Sequence, residues 1–202
     1  MYRVQIGNQP LGTWSFENRI AELEPIFKQL ETAKWTNEIV VQYNDMNVEK
    51  MAKHLNMDKD TVREWMFDPE YKKFQDATIS ATLLDSSETE LTEKICKLLN
   101  LSTFNVDIRM QNQKPGEMVG LHLDGYKHHV FNLPVDQEYR VTRYAIFLED
   151  QQLGQAWFIN NDYLHWHKGD IYTWDQSTVP HGTANIGFHN RPVLVVTGIK
   201  LI

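Results

Sequence analysis

The apolar residues of this chain change their spacing about halfway along it. In the first half they recur at intervals of three and four, which is the spacing of one face of an α-helix. The first such set is Ile20, Leu23, Ile26, Phe27 and Leu30. This spacing predicts a helix over residues 17–34 that packs one apolar face against a neighbouring layer.

A second helix is predicted to begin after Ser87 and to end near Asn100. Ser87 followed by Glu90 three residues later has the form of a capping box at a helix start. The apolar face of this helix would carry Leu91, Ile95, Leu98 and Leu99. Cys96 lies inside the helix and is interpreted as a packing residue, because no partner of a nucleophile stands near it.

From Phe104 onwards the spacing shortens to two, which is the period of a β-strand. The alternating residues are Phe104, Val106, Ile108 and Met110. Further strands are predicted over residues 139–148, 156–159 and 171–174, and a last one over residues 191–197. We therefore expect one domain, 1–202, with a helix-rich part (1–103) packed on a mainly β part (104–202).

The composition agrees with a single folded domain. The chain has 202 residues, of which 42% are hydrophobic and 23% charged, and its net charge is -7. The negative charge argues against nucleic acid as a partner. No apolar run is long enough to cross a membrane. Cys96 is the only cysteine, so no intramolecular disulfide can form, and we expect a reducing, cytoplasmic location.

Residues 47–66 have the form of a helix-turn-helix, with Ala52 early in the first helix and Val62 in the second. A DNA-reading helix usually carries surplus positive charge for phosphates. Between Asp45 and Asp76 there are six basic and eight acidic residues, a balance of -2. Two short helices that pack on the sheet are therefore the favoured interpretation, with a DNA-binding regulator as the alternative.

Three side chains suggest a metal site. His122 and Asp124 stand two residues apart, so in a strand they project to the same side, and His181 follows later. Two imidazoles and one carboxylate leave part of a metal's coordination sphere open, which suits non-haem iron(II). Ten residues after His181, Arg191 begins an apolar run, and a guanidinium pairs best with a carboxylate.

The pattern formed by His122, Asp124, His181 and Arg191 resembles the iron(II) and 2-oxoglutarate-dependent oxygenases. The likeness covers about residues 104–201 and is nearest to the aspartyl/asparaginyl hydroxylase and bacterial proline hydroxylase branch. It implies a double-stranded β-helix, or jelly-roll, with iron held by the two histidines and the aspartate. It also implies that Arg191 binds the far carboxylate of 2-oxoglutarate, with O2 as cosubstrate and with succinate and CO2 as products.

The same resemblance implies a hydroxylase whose substrate is a small molecule or a peptide, namely an amino acid or a peptide side chain. Arg143 is the candidate for a cosubstrate or substrate carboxylate, with an ion pair to a neighbouring strand as the alternative. Ala145 stands where some relatives have a histidine. Thr197 shares the face of Arg191 on the last strand and is expected to point inward.

Two further interpretations stay open at this point. The chain could be a non-catalytic jelly-roll that binds a metal for structure or sensing, with Arg191 in a buried ion pair. His165 and His167 have the same two-residue spacing as His122 and Asp124. We interpret this second pair as surface residues, because no third ligand lies near them in the sequence.

Overall fold

A computed structural model of the chain describes residues 16–36, 39–41, 52, 56–67, 79–122, 141–160, 162–174 and 179–201. These residues form three helices and ten strands. The helices are α1 (Phe16–Thr32), α2 (Lys59–Phe67) and α3 (Thr89–Leu99). The strands are β1 (Ile39–Val41), β2 (Ile79–Leu83), β3 (Asp107–Gln113), β4 (Met118–His122), β5 (Val141–Phe147), β6 (Gln155–Ile159), β7 (Asp162–Tyr163), β8 (Ile171–Trp174), β9 (His181–Asn185) and β10 (Arg191–Ile199).

The strands form two antiparallel sheets, one of six strands in the order β1-β2-β3-β10-β5-β8 and one of four in the order β4-β9-β6-β7. Strand β3 pairs with β10, β4 with β9, β5 with β8, and β6 with β7. The chain from β3 to β10 is therefore a long hairpin of four nested pairs that alternate between the sheets. This winding is the double-stranded β-helix, or jelly-roll, so the predicted fold class is confirmed.

Strand β10 separates two apolar cores, because its successive side chains point to opposite faces. Leu194 and Val196 face α1 and α3, which cover the outer face of the larger sheet. Val193 and Val195 face the space between the two sheets. Each fully buried aliphatic side chain contributes about 1.5–3 kcal/mol of transfer free energy, so the sheet is stabilised from both sides.

The core between the sheets is rich in aromatic side chains. Phe147 stacks on Trp166 with ring centroids 4.4 Å apart and meets the edge of Trp157 at 5.3 Å. Tyr172 packs on the other side of Phe147 at 5.8 Å, and its hydroxyl donates to the backbone oxygen of His165. These rings fill one part of the barrel interior, and the polar residues described below lie beside them.

The local predictions for the helices are mostly confirmed. Helix α1 occupies Phe16–Thr32, close to the predicted 17–34. Helix α3 ends at Leu99, and Asn100 adopts the left-handed conformation that terminates many helices. The capping box, however, is wrong. The helix starts at Thr89 after Glu88, without a side-chain cap, and the backbone N–H of Ser87 donates to Asp85 instead.

The start of the β region was also placed too early. Strand β3 begins at Asp107, whereas Phe104 lies in a turn and is 64% exposed. Lys114-Pro115-Gly116 predicts a turn, and the structure confirms it, with Gly116 at a φ of 88°. Lys168-Gly169-Asp170 predicts a hairpin turn. The structure has a turn there but no hairpin, because the following strand β8 pairs with β5 in the larger sheet.

Part of the helix-turn-helix segment is described. Ala52 is helical, Asn56 has a left-handed backbone, and Asp58 caps α2 by accepting hydrogen bonds from the backbone of Asp60 and Thr61. These backbone hydrogen bonds lower the pKa of Asp58. Within the described part of the chain, no helix is long and apolar enough to cross a membrane. The alternation of residues 2–6 suggests an edge strand, but these residues lie outside the described part of the chain.

Candidate functional site

The centre of the site is a pair of histidines on neighbouring strands. His122 ends β4 and His181 begins β9, and the antiparallel register sets them directly opposite each other. Their ring centroids are 4.3 Å apart, and both side chains are buried, with 4% and 3% exposed. Both therefore face the interior of the barrel at the same position.

Hydrogen bonds fix which nitrogen of each ring carries the proton. The Nδ1 of His122 lies 2.9 Å from the backbone oxygen of Gly120, and the Nδ1 of His181 lies 3.1 Å from that of Val179. A carbonyl oxygen only accepts, so each Nδ1 must carry the hydrogen. The lone pair of each neutral ring is then on Nε2. A histidine that donates one nitrogen to a carbonyl and offers the other is the usual state of a metal ligand.

A close approach of the two strands keeps the histidines together. Gly182 follows His181, and a Cβ added to it would meet the backbone oxygen of Val119 at 3.0 Å and atoms of Gly120 at 3.2 Å. The register between β4 and β9 also shifts between Val119 and His122. Such a bulge redirects side chains locally, and here it ends with the two imidazoles opposed.

The third predicted ligand, Asp124, lies outside the described residues. The same holds for Arg140, His128 and His129, which the sequence suggests as further contacts for a substrate carboxylate. Among the residues that the structure does describe, no three His, Cys, Asp or Glu side chains form a group able to hold a metal ion. His165 and His167 are both exposed, as expected for surface residues. His165 is 3.1 Å from the amide oxygen of Gln151, and His167 is 3.4 Å from Asp150.

Arg191 begins β10 on the face between the sheets and is 3% exposed. Its Nη1 donates to the backbone oxygen of Ala156 at 3.2 Å. The guanidinium lies over the ring of Trp157 at 4.8 Å and near that of Trp166 at 5.8 Å. Indole faces stabilise a cation that has left water. The arginine is therefore an interior cation with a fixed orientation.

Strand β6 gives the spacing between this cation and the histidines. Ala156 accepts the hydrogen bond from Arg191, whereas Ile159 pairs with His181. Three residues of an antiparallel strand cover about 10 Å. The guanidinium and the histidine pair therefore lie at two levels of one barrel, separated by roughly the length of a small organic diacid.

Arg143 and Thr197 form a second polar pair. They are cross-strand neighbours on β5 and β10, and the Nε of Arg143 donates to the hydroxyl of Thr197 at 3.0 Å. Thr197 is six residues from Arg191 along β10, which corresponds to about 20 Å. Arg143 and Arg191 therefore cannot bind the same carboxylate group.

Sequence reasoning missed the polar face of β3. Ile108 and Met110 pack toward the helices, so the intervening odd-numbered residues face the barrel interior. They are Asp107, Arg109, Gln111 and Gln113. Asp107 and Arg109 form an ion pair beside Thr197, and Gln113 pairs with Arg191 in the strand register. The sequence signal for this polar face was the alternation, because the polar residues that alternate with Ile108 and Met110 must point to the opposite side of the strand.

Several solved structures resemble the chain at low sequence identity. No family model and no curated protein matches the chain. A prolyl-4-hydroxylase from Pseudomonas putida is 13% identical, with a TM-score of 0.42, and the match covers 89% of this chain and 100% of that one.

Two other solved structures cover less of the chain. A candidate sugar phosphate isomerase from Acidithiobacillus ferrooxidans is 15% identical, with a TM-score of 0.37 and 60% of each chain covered. The Cnp3 cupin domain from Schizosaccharomyces pombe is 9% identical, with a TM-score of 0.33, and the match covers 47% of this chain and 56% of that one. The chain thus spans less than two thirds of either protein. The fold assignment depends on the strand pairing, and likeness at this level says nothing about activity.

Proposed function

We propose that this protein is an iron(II)- and 2-oxoglutarate-dependent dioxygenase. It hydroxylates an unactivated carbon of an amino acid or of a peptide side chain and releases succinate and CO2. The observation that carries the proposal is the opposed pair His122 and His181, whose rings contact at 4.3 Å with both Nδ1 atoms held by backbone carbonyl oxygens.

The donor set supports an iron(II) site. Two neutral imidazoles offer Nε2 lone pairs, and Asp124, two residues after His122 in the sequence, would supply the carboxylate. Two histidines and one carboxylate that leave other positions open are the ligand set of non-haem iron(II) oxygenases. The backbone carbonyl oxygens that hold each Nδ1 would also orient the rings toward the metal.

The spacing to Arg191 supports a five-carbon keto diacid. At ordinary bond lengths its end carbons are about 5 Å apart. A metal bond adds about 2 Å at one end, and a hydrogen bond adds about 3 Å at the other. The total agrees with the rise of about 10 Å along β6 between the levels of Arg191 and His181.

The protein's own residues then have separate tasks. His122, Asp124 and His181 hold the metal, and Arg191 binds the far carboxylate of the keto acid with its planar fork. The aromatic core around Phe147 excludes water from one side of the site. Bound iron with O2 and 2-oxoglutarate supplies the oxidation that converts a C–H bond to C–OH, coupled to decarboxylation of the keto acid.

Arg143 is assigned to the substrate. It lies about 20 Å from Arg191 along the strand direction and belongs to the end of the barrel where β9 begins with His181. Its partner Thr197 also lies on the inner face of β10 and is 6% exposed. A cation at this end suits a substrate that carries a carboxylate, such as a free amino acid.

Succinate release tests the proposal. The protein is incubated with Fe(II), 2-oxoglutarate and ascorbate, and amino acids and short peptides are screened for stimulated turnover. We expect slow uncoupled succinate formation that at least one substrate accelerates. Binding of Fe(II) without any succinate, coupled or uncoupled, would instead favour the second candidate, a non-catalytic metal-binding jelly-roll, which the same histidine pair supports.

A DNA-binding regulator remains the weaker alternative for residues 47–66. Helix α2 has two basic residues, Lys59 and Arg63, and Arg63 is engaged by Asp60 at 3.2 Å. A gel-shift assay at low salt addresses this alternative directly. We expect no retardation of duplex DNA. Salt-dependent binding would instead support the DNA-binding alternative.

A further inference from the structure

A buried amide and a buried hydroxyl lie beside Arg191. Gln113 is 1% exposed and Thr183 is 7% exposed. The Nε2 of Gln113 donates to the hydroxyl oxygen of Thr183 at 3.0 Å and to the backbone oxygen of Glu117 at 3.1 Å. Burying polar side chains this deep lowers the stability of the fold unless each polar atom finds a hydrogen-bond partner.

The hydrogen-bond partners of Gln113 determine which way its side-chain amide faces. The backbone oxygen of Glu117 can only accept, so the nitrogen of the Gln113 amide, and not its oxygen, faces Glu117 and Thr183. Thr183 therefore accepts from Gln113, and its own hydroxyl proton points elsewhere. Among the described residues, none accepts a hydrogen bond from the Thr183 hydroxyl, and none donates to the buried Gln113 Oε1.

Thr183 lies between the two parts of the proposed site. It shares the inner face of β9 with His181, two residues or about 7 Å away. Across to β6 it pairs with Trp157, whose ring lies under the Arg191 guanidinium at 4.8 Å. Gln113 is the register partner of Arg191 on β3. Three strands thus bring an amide, a hydroxyl and a guanidinium to one level of the barrel.

We infer that Thr183 donates a hydrogen bond to the same distal carboxylate that Arg191 binds, and that Gln113 is a positioning residue that keeps the Thr183 hydroxyl a donor. The inference rests on the proposed function and adds a second ligand for the diacid. A carboxylate has about four lone-pair sites, so a fork from Arg191 leaves room for a hydroxyl. The buried Gln113 Oε1 atom lies on the same side of the barrel interior and can accept a hydrogen bond from a bound water.

The inference is tested by anion binding to the metal-free protein, without any turnover. Glutarate is the probe, because it has both carboxylates but no keto group for the metal. Its affinity is measured by calorimetry, and by tryptophan fluorescence because Arg191 lies against Trp157 and Trp166. Thr183→Val should weaken glutarate binding at least about 10-fold, the effect of one hydrogen bond to a charged group. Thr183→Ser should restore most of it.

Gln113→Leu separates positioning from packing. It leaves the Thr183 hydroxyl in place but releases its orientation, so we expect a loss of about 3-fold. In the Thr183→Val background the same change should have no further effect, because there is no hydroxyl left to orient. The matched control is Thr142→Val, which removes a hydroxyl from another strand threonine that is 1% exposed and should leave glutarate affinity unchanged.

The outcomes distinguish this inference from the proposed function. A wild-type protein that binds neither glutarate nor 2-oxoglutarate overturns both. Binding that Arg191→Met abolishes but Thr183→Val leaves intact overturns the inference alone. If Thr183→Val melts at a much lower temperature, Gln113→Leu and Thr183→Ala carry the test, and unchanged affinity in both folded variants is likewise contradictory.

Discussion

At the residue scale, hydrogen bonds to the backbone determine which side-chain nitrogen atoms of the two histidines are left for a ligand. Both histidines give their Nδ1 hydrogen to a carbonyl oxygen two residues earlier in the chain. These hydrogen bonds hold each ring in one orientation, so that the lone pair of a neutral ring is on Nε2. The backbone thus fixes the orientation of both imidazole side chains.

The first prediction concerns the ligands. His122→Ala and His181→Ala should each weaken Fe(II) binding by about 100-fold or more, since one of three donors is removed. Asp124→Ala should abolish succinate formation. Metal affinity is measured by competition with a chelator. The control is His189→Ala, an exposed histidine on the β9–β10 loop, and an equal loss in that variant would indicate non-specific metal binding.

The second prediction concerns the cation. Arg191→Met keeps most of the apolar stem but removes the fork, so 2-oxoglutarate affinity should fall about 10- to 100-fold. Fe(II) affinity should stay within about 2-fold, because the arginine lies about 10 Å from the level of the histidines. Calorimetry with each ligand provides the readout. Arg63→Met, on the surface of α2, is the control, and a keto-acid affinity unchanged by Arg191→Met would remove Arg191 from its role.

At the element scale, the spacing of neighbouring strands decides whether His122 and His181 meet. Gly182 lets β9 approach β4 so closely that even a methyl group would touch backbone atoms 3.0–3.2 Å away. Backbone cannot rotate aside as a side chain can. The contact between the two imidazoles therefore depends on a residue that binds nothing itself.

This argument gives the third prediction. Gly182→Ala should push β4 away from β9 and weaken Fe(II) binding by about 10-fold or more, while the protein stays folded. The control is Gly198→Ala on β10, where the added methyl would meet mainly the side chains of Leu101 and Val106 at 3.3 and 3.4 Å. Metal titration together with thermal melts separates the two effects. Full affinity in a folded Gly182→Ala protein would refute the role of this close approach.

The fourth prediction concerns α3. Burial raises the pKa of the Cys96 thiol from 9.0 to about 11, because the thiolate would lose its hydration in the core. The folded state thus prefers the neutral thiol. The resulting stability is fully present below pH 9 and is lost as the pH rises from about 9 to about 11. The free energy of unfolding should therefore fall with pH in this range.

Cys96→Ala should remove that part of the pH dependence, and the difference between the two denaturation series isolates it from lysine titration. Thiol reagents offer a second readout, since Cys96 is 1% exposed. At neutral pH its modification should require local opening of the helix layer and should therefore be slow in the folded protein. Rapid labelling of the folded protein would show that the thiol is accessible.

At the scale of the whole molecule, one strand order supports both the fold and the site. The larger sheet is covered by α1 and α3 on its outer face, and the smaller sheet closes the barrel on its inner face. Strands β10 and β5 are both interior strands of the larger sheet, each paired with a neighbour on either side. Side chains on these two strands therefore pack in both cores. The same strands carry Arg191 and Arg143, so the position of both arginines depends on this packing.

The fifth prediction follows from this position. Ile146→Ala on β5 removes a fully buried side chain from the layer beneath the helices and should destabilise the protein by about 2–5 kcal/mol. Leu153→Ala, at a residue that is 89% exposed, should change stability by less than about 0.5 kcal/mol. Chemical denaturation measures both. Similar losses in the two variants would mean that the layer under the helices is not a packed core.

Most of the local structure could be predicted from the sequence, because its causes are local. The periods of three to four and of two are properties of the helix and the strand themselves, so α1, α3 and the inward faces of β5 and β10 could be predicted. The capping box at Ser87 was a wrong prediction because Asp85 competes for its backbone N–H. Phe104 was placed in a strand because alternation alone does not show where pairing begins.

By itself, then, the sequence determined the type of most elements, the inward face of Arg191 and Thr197, and the absence of an intramolecular disulfide. Only the tertiary structure decided that His122 faces His181 and that Gln113 reaches Thr183 70 residues away. It also decided that Arg143 pairs with Thr197, six residues along β10 from Arg191. The reason is physical. Strand pairing across long loops costs chain entropy that no local contact offsets. Which strands meet is therefore decided by the burial of the two cores as a whole.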